Sequence, residues 1–218
     1  MTARLFQFYP SALCAKVRKI LAYKGIAYEP VEVDFVDRAE IVALSGQMQV
    51  PVLQLAEDDI IADSGRIVAR LESTFPQPTL LPAVTRGLHL ALTHYLETQV
   101  TAVLGAFAQP DWEEYYARQG ALQALFLRRA MAPKTATAPA TAQERFEAVR
   151  EILAPFDETL EGKGFLLGRL GLADFALYGQ LWSLTFSGTN RIPSDFSNLR
   201  AFFERLDRLS AALEPEPA

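Results

Sequence analysis

Ser11, Asp63 and Ser64 each stand where a helical pattern begins, and Pro51 heads a run of β-formers between them. Ser11 follows the apolar strand Leu5 to Tyr9 and precedes Leu13, Val17, Ile20 and Leu21, which recur at helical spacing until Gly25. A hydroxyl at that point and the positive end of the helix act together on an anion. A hydrogen bond to a charged group contributes about 1.5–3 kcal/mol and a helix N-terminus about 0.3–1. Serine is also a preferred N-cap, and capping alone would account for it. Pro51 opens Val50 to Leu55 at a place where a strand tolerates proline, and its neighbours keep backbone N–H and C=O groups to offer. Asp63 and Ser64 precede Ile67, Val68 and Leu71 and are good caps as well as polar groups at the mouth of a helix.

The other reactive residue types point to packing. Cys14 lies one helical turn beyond Ser11 on an apolar face and reads as core. A single cysteine excludes an internal disulfide, and with His89 and His94 it makes no metal site at a familiar spacing. Both histidines read as ordinary helix residues.

The elements that must position these groups come in a fixed order. After the first strand and helix, Tyr28 to Phe35 alternates as a second strand, and Arg38 to Leu44 is a weak helix. The strand from Val50, a turn at Glu57-Asp58-Asp59, the strand at Ile60-Ile61 and the helix after Asp63 follow. This β-α-β, α, β-β-α order resembles a thioredoxin-like fold with its proline loop. Phe75 to Ala83 holds Pro76, Pro78 and Pro82 and reads as a linker. Beyond it the periodicity is helical: one long helix marked by Leu88, Leu92, Tyr95, Leu96 and Gln99, then Tyr115 to Met131, Phe146 to Leu160, Ala173 to Phe186 and Phe196 to Leu209. Residues 132 to 142 are of low complexity and read as a mobile loop, and the Glu-Pro-Glu-Pro-Ala tail as frayed.

Composition narrows the classes. With 218 residues and 50% apolar content the chain can build two modest domains, and a net charge of -5 argues against nucleic acid as a partner. No stretch reaches the roughly 18 apolar residues of a membrane helix, and Arg4 followed by a strand pattern does not read as a signal peptide. The expected compartment is the cytosol.

Four fragments in this order resemble the cytosolic glutathione S-transferases: Tyr9-Pro10-Ser11-Ala12-Leu13-Cys14-Ala15-Lys16-Val17-Arg18, Gln49-Val50-Pro51-Val52-Leu53, Asp63-Ser64, and Phe165-Leu166-Leu167-Gly168 with Leu172-Ala173-Asp174-Phe175. The resemblance covers nearly the whole chain. It implies a thioredoxin-like glutathione-binding domain at 1–76, a linker at 77–83 and an all-helical domain at 84–213 that contributes the electrophile site. The implied activity is glutathione transfer to small hydrophobic electrophiles in detoxification, by a homodimer, with glutathione as co-substrate and no metal or other cofactor. A non-catalytic relative that binds glutathione or hydrophobic ligands, or a glutathione-dependent isomerase or dehalogenase, is the alternative.

The resemblance also implies roles. In serine-type classes the catalytic serine stands six residues before the valine of Lys-Val-Arg, as Ser11 stands before Val17. Tyr9 is the competing hydroxyl, but the tyrosine-type place at the end of the strand holds Phe8, and a one-residue offset turns a side chain to the other face. Val50 beside Pro51 would pair with the cysteinyl backbone of glutathione, Ser64 and Asp63 would meet the γ-glutamyl end, and Gln49 the glycyl end. Tyr95, Phe107, Trp112, Tyr116 and Trp182 are the aromatic candidates for the electrophile site. At the downstream helix start the usual Ser or Thr cap is Gly171, and Asp174 can bond back to its N–H.

Overall fold

A computed structural model describes residues 2–120, 123, 125, 127 and 141–209. The first part of the chain runs β1 (Ala3–Gln7), α1 (Ala12–Tyr23), β2 (Tyr28–Glu32), α2 (Ala39–Ser45), β3 (Val52–Ala56), β4 (Asp59–Ala62) and α3 (Ser64–Thr74). The four strands form one sheet in the order β2-β1-β3-β4, with β1 and β2 parallel and the other pairs antiparallel. This is the thioredoxin-like α/β arrangement that the order of elements predicts. Successive residues of β1 serve opposite faces of the sheet. Ala3 and Leu5 enter the main core with Val17, Leu53 and Ile67, while Phe6 and Phe8 enter a smaller core with Val33, Ile41, Val52 and Tyr116.

Register gathers the segments of interest at one end of the sheet. Phe6 pairs with Val52, and Val52 with Ala62. The chain leaving β1 toward Ser11, the chain entering β3 through Val50-Pro51 and the chain leaving β4 into Asp63-Ser64 therefore emerge side by side.

The second part is helical. α4 (Arg86–Tyr95) passes through a π turn at Leu96–Val100 into α5 (Thr101–Ala117), and α6 (Ala142–Leu160), α7 (Leu172–Thr185) and α8 (Ser197–Leu209) follow. The last three match the helices expected there. The expected helix from Tyr115 to Met131 is corrected at its start: Tyr115 and Tyr116 belong to the end of α5, which runs through Pro110 without breaking. Proline removes one donor from a helix, but α5 is packed on α6 and α7, and tertiary packing outweighs that loss. What would follow residue 120 in that helix, the loop at 132–142 and the C-terminal tail fall largely outside the described residues. Thr141 and Ala142 are described, and open α6 with a capping box in which Thr141 and Glu144 serve each other's backbone.

α7 is buried almost throughout its length and lies directly on α1. A Cβ on its Gly179 would sit 2.2 Å from the carbonyl oxygen of Ala12, so only glycine permits this approach. The start of α7 is capped from a distance. Asp174 accepts from the N–H groups of Gly171 (2.9 Å) and Leu166 (2.8 Å), as the sequence suggests, and the N–H of Ala173 donates to Nδ1 of His89 on α4 at 3.3 Å. His89 is thus more than an ordinary helix residue: it is fully buried and supplies the acceptor that Gly171 lacks.

Candidate functional site

The turn after β1 closes with the Ser11 N–H donating to the Phe8 carbonyl at 3.0 Å, and Ser11 takes an extended conformation as N-cap of α1. Its Oγ accepts from the Cys14 N–H at 3.4 Å. That bond uses a lone pair and leaves the hydroxyl proton to donate outward, so capping and stabilisation of an anion are compatible in this half-buried side chain. Cys14 itself is fully buried, and burial pushes its thiol up to about 11. It is inert at neutral pH, as the core assignment requires.

Phe8 and Tyr9 part company at the strand end. Phe8 is buried against Phe35 and Tyr116. Tyr9 turns the other way, with its ring 6.1 Å from Tyr115 and 5.3 Å from Trp182 and the Arg18 guanidinium over its face at 5.2 Å. Its backbone is pinned by three bonds: the N–H donates to Glu32 at 2.8 Å, and the carbonyl accepts from Arg18 (3.1 Å) and from the Trp182 indole (3.0 Å).

Val50-Pro51 is a cis peptide, and among the described residues the Val50 N–H and C=O have no hydrogen-bond partner. Gln49 is exposed, and its carbonyl accepts from the Gln47 side chain at 2.9 Å. Across the sheet end, Asp63 holds a positive φ of 82° and caps α3, one carboxylate oxygen accepting from the N–H groups of Gly65 and Arg66 at 2.9 and 3.0 Å. Ser64 is buried at the first position of that helix.

One residue of this site was not anticipated. Lys16, on α1 and only 1% exposed, donates to Ser64 Oγ at 2.9 Å and is ion-paired with Glu97 in the π turn. An ammonium has no acceptor, so Ser64 must accept from Lys16 and has to send its own proton elsewhere. With its lone pair taken by Lys16, whose charge Glu97 balances, Ser64 has a proton to donate, and a hydroxyl so oriented suits a carboxylate. No local signal marks Lys16, because its partners lie 48 and 81 residues away.

Next to Tyr9 opens a cleft of about 190 Å³, lined by the rings of Tyr9, Tyr115 and Phe186 and by the polar side chains of Asp111, Glu114, Arg118 and Ser187. None of the five aromatics singled out in the sequence lines it. Tyr116 is fully buried beneath Phe8, Phe107 lies against Phe146, Tyr95 is exposed near Phe156, Trp112 packs on Tyr116, and Trp182 holds Tyr9 from behind. The reason is helical phase: at about 100° per residue Tyr115 and Tyr116 face different ways. Asp111, Glu114, Tyr115 and Arg118, spaced i, i+3, i+4 and i+7, share the face that meets the cleft, and that spacing was the available signal.

Comparison with known proteins agrees with the fold. Residues 5–79 match the family model of the glutathione S-transferase N-terminal domain and residues 139–205 that of the C-terminal domain. A maleylacetoacetate isomerase of Pseudomonas aeruginosa is 36% identical over 84 residues, which span 36% of this chain and 40% of that enzyme. A glutathione S-transferase of Ceriporiopsis subvermispora, solved in complex with glutathione, superposes with a TM-score of 0.76 at 18% identity, over 100% of this chain and 99% of the other. A glutathione S-transferase of Rhodospirillum rubrum gives 0.72 at 21% identity, over 100% and 94%. The chain belongs to the glutathione S-transferase family.

Proposed function

We propose that the chain is a glutathione transferase in which residues 1–76 bind and activate the tripeptide thiol, residues 84–213 complete the electrophile cleft and 77–83 link the two. The observation that carries this reading is the register that brings Ser11, Val50-Pro51 and Ser64 to one end of the sheet. The cysteinyl backbone of glutathione pairs with the free N–H and C=O of Val50. Its γ-glutamyl carboxylate takes the Ser64 hydroxyl, which Lys16 orients, while Asp63 meets the γ-glutamyl ammonium and Gln49 the glycyl end. The thiol then lies by Ser11.

A thiol of pKa about 8.5 is only a few per cent ionised at pH 7, and the thiolate is the nucleophile. Ser11 and the positive end of α1 stabilise that anion by roughly 2–4 kcal/mol together, which lowers the pKa by about 1 to 3 units. The thiolate attacks an electrophilic carbon in the adjacent cleft, a sulfur–carbon bond forms, and the leaving group departs with its electron pair. The reading includes a homodimer acting in the cytosol in detoxification. Among the described residues no helix is long and apolar enough to cross a membrane.

The local similarity to maleylacetoacetate isomerase favours a second reading, a glutathione-dependent isomerase on the same scaffold. Turnover of glutathione with a generic aromatic halide, set against a maleyl compound, distinguishes the two. Glutathione binding without either reaction would identify a non-catalytic relative.

A further inference from the structure

Asp111 projects from α5 into the cleft and is only 7% exposed. Its Oδ2 accepts from the Ser187 hydroxyl and, at 3.0 Å, from the Asn190 amide, while Ser187 Oγ in turn accepts from the Thr189 N–H at 3.1 Å. One carboxylate oxygen therefore anchors the turn after α7. The other, Oδ1, has no hydrogen-bond partner among the described residues. Anchoring needs only an acceptor, which an amide would provide equally. Oδ1 is open to the cleft rather than sealed in the core, so it stands ready to accept from whatever occupies the cleft.

The rest of the cleft limits what that can be. Tyr115 lies nearly parallel to Tyr9, and Phe186 meets Tyr115 edge-on at 5.7 Å, so the walls suit a planar ring. Glu114 is paired with Arg118 at 2.7 Å, which leaves Asp111 as the uncompensated charge of the lining. An anionic substrate is disfavoured there, and a hydrogen-bond donor is favoured.

We propose that Asp111 selects the second substrate: an aromatic electrophile carrying a hydrogen-bond donor, a hydroxyl or an ammonium, away from its reacting carbon. The proposal rests on the transferase reading for the identity of the occupant, and its test is independent of turnover. The inert probes are benzene-1,4-dimethanol and its dimethyl ether, titrated by ligand-observed NMR. Wild-type protein should bind the diol about tenfold more tightly, the size of one bond to a charged acceptor. Asp111→Asn keeps an acceptor for Ser187 and Asn190 but turns a donor toward the cleft, and should abolish the preference. Equal binding of the two probes by wild type, no binding of either, or a preference untouched by Asp111→Asn would overturn the proposal. If the variant does not fold, the wild-type pair still decides. A wild type that prefers the diol yet fails to join glutathione to 4-(hydroxymethyl)benzyl chloride defeats the transferase reading and leaves the role of Asp111 standing.

Discussion

The imidazole of His89 occupies the space that a side chain at residue 171 would fill: a Cβ on Gly171 would lie 2.3 Å from His89 Cε1. Gly171→Ser, which restores the commoner cap, should therefore destabilise the fold by about 1–3 kcal/mol through overpacking. His89→Ala in the same chain should recover part of that loss, part only because the Leu80 carbonyl is also within 2.9 Å of the added atom. Burial lowers the pKa of His89, so the imidazole is neutral when folded. Its contribution is present above the unfolded value near 6.5 and is lost as pH falls through the folded value. Chemical denaturation of wild type and His89→Gln across pH 5 to 8 would show the gap closing at the acid end.

Ser11→Ala should leave glutathione affinity nearly intact while raising the pKa of the bound thiol by about 1 to 2 units. Tyr9→Phe should do much less. Ultraviolet titration of the bound thiolate reads this directly. A pKa that moves only in the tyrosine variant would transfer the role to Tyr9.

Ser64→Ala should weaken glutathione binding by roughly 1–3 kcal/mol, the cost of an unpaired carboxylate contact. Lys16→Met should weaken it too, through the loss of the group that aims Ser64, and it also strands Glu97. Lys16→Met with Glu97→Gln should restore folding stability without restoring affinity. Calorimetry that finds full affinity in the double variant would remove Lys16 from the site.

Asp174 is fully buried, and burial pushes its carboxyl up to about 6 despite the two N–H bonds it accepts. The folded state thus holds its proton more tightly than the unfolded one. Its contribution is greatest below the unfolded value near 3.8 and is lost as pH rises through about 6. The stability of wild type relative to Asp174→Asn should fall by about 3 kcal/mol between pH 4 and 6 and stay level above that. A flat difference across that range would refute the assignment.

Light scattering at micromolar concentration should give the mass of a dimer. The basic pair Arg66 and Arg70 on α3 is a weak reason to expect one, since Arg70 is already bonded to Asp59 of its own chain at 2.7 Å. A clean monomer mass would defeat the expectation.

What could be read from the sequence was what local chemistry writes. Ser11 and Asp63 are caps, Pro51 is a strand opener and Asp174 closes a capping box, and each of these depends on residues within a few positions. Lys16 could not be read, because it is flanked by Ala15 and Val17 like any amphipathic lysine and its burial is imposed by Glu97 and α7. Asp111 shares a regular face with Tyr115, yet which face of α5 meets the cleft is decided by how α6 and α7 pack. The join of two expected helices across Tyr115 was hidden for the same reason, since packing carried α5 through Pro110.

The contact between Gly179 and Ala12 has a consequence for how the protein is made. α1 leaves the ribosome well before the helix that covers it, which follows 167 residues later, from 12 to 179. At roughly 5–20 residues per second that is a wait of about 10 to 30 seconds. Through all of it Tyr9 lacks the Trp182 indole and Lys19 the Asp207 carbonyl it holds at 2.9 Å in the finished fold, and until Glu97 is made, 81 residues after Lys16, that lysine lacks its partner too. α1 thus waits on α7 for its cover, and a nascent chain stopped short of α7 carries Ser11, Val50, Pro51, Asp63 and Ser64 without the helix that packs on α1.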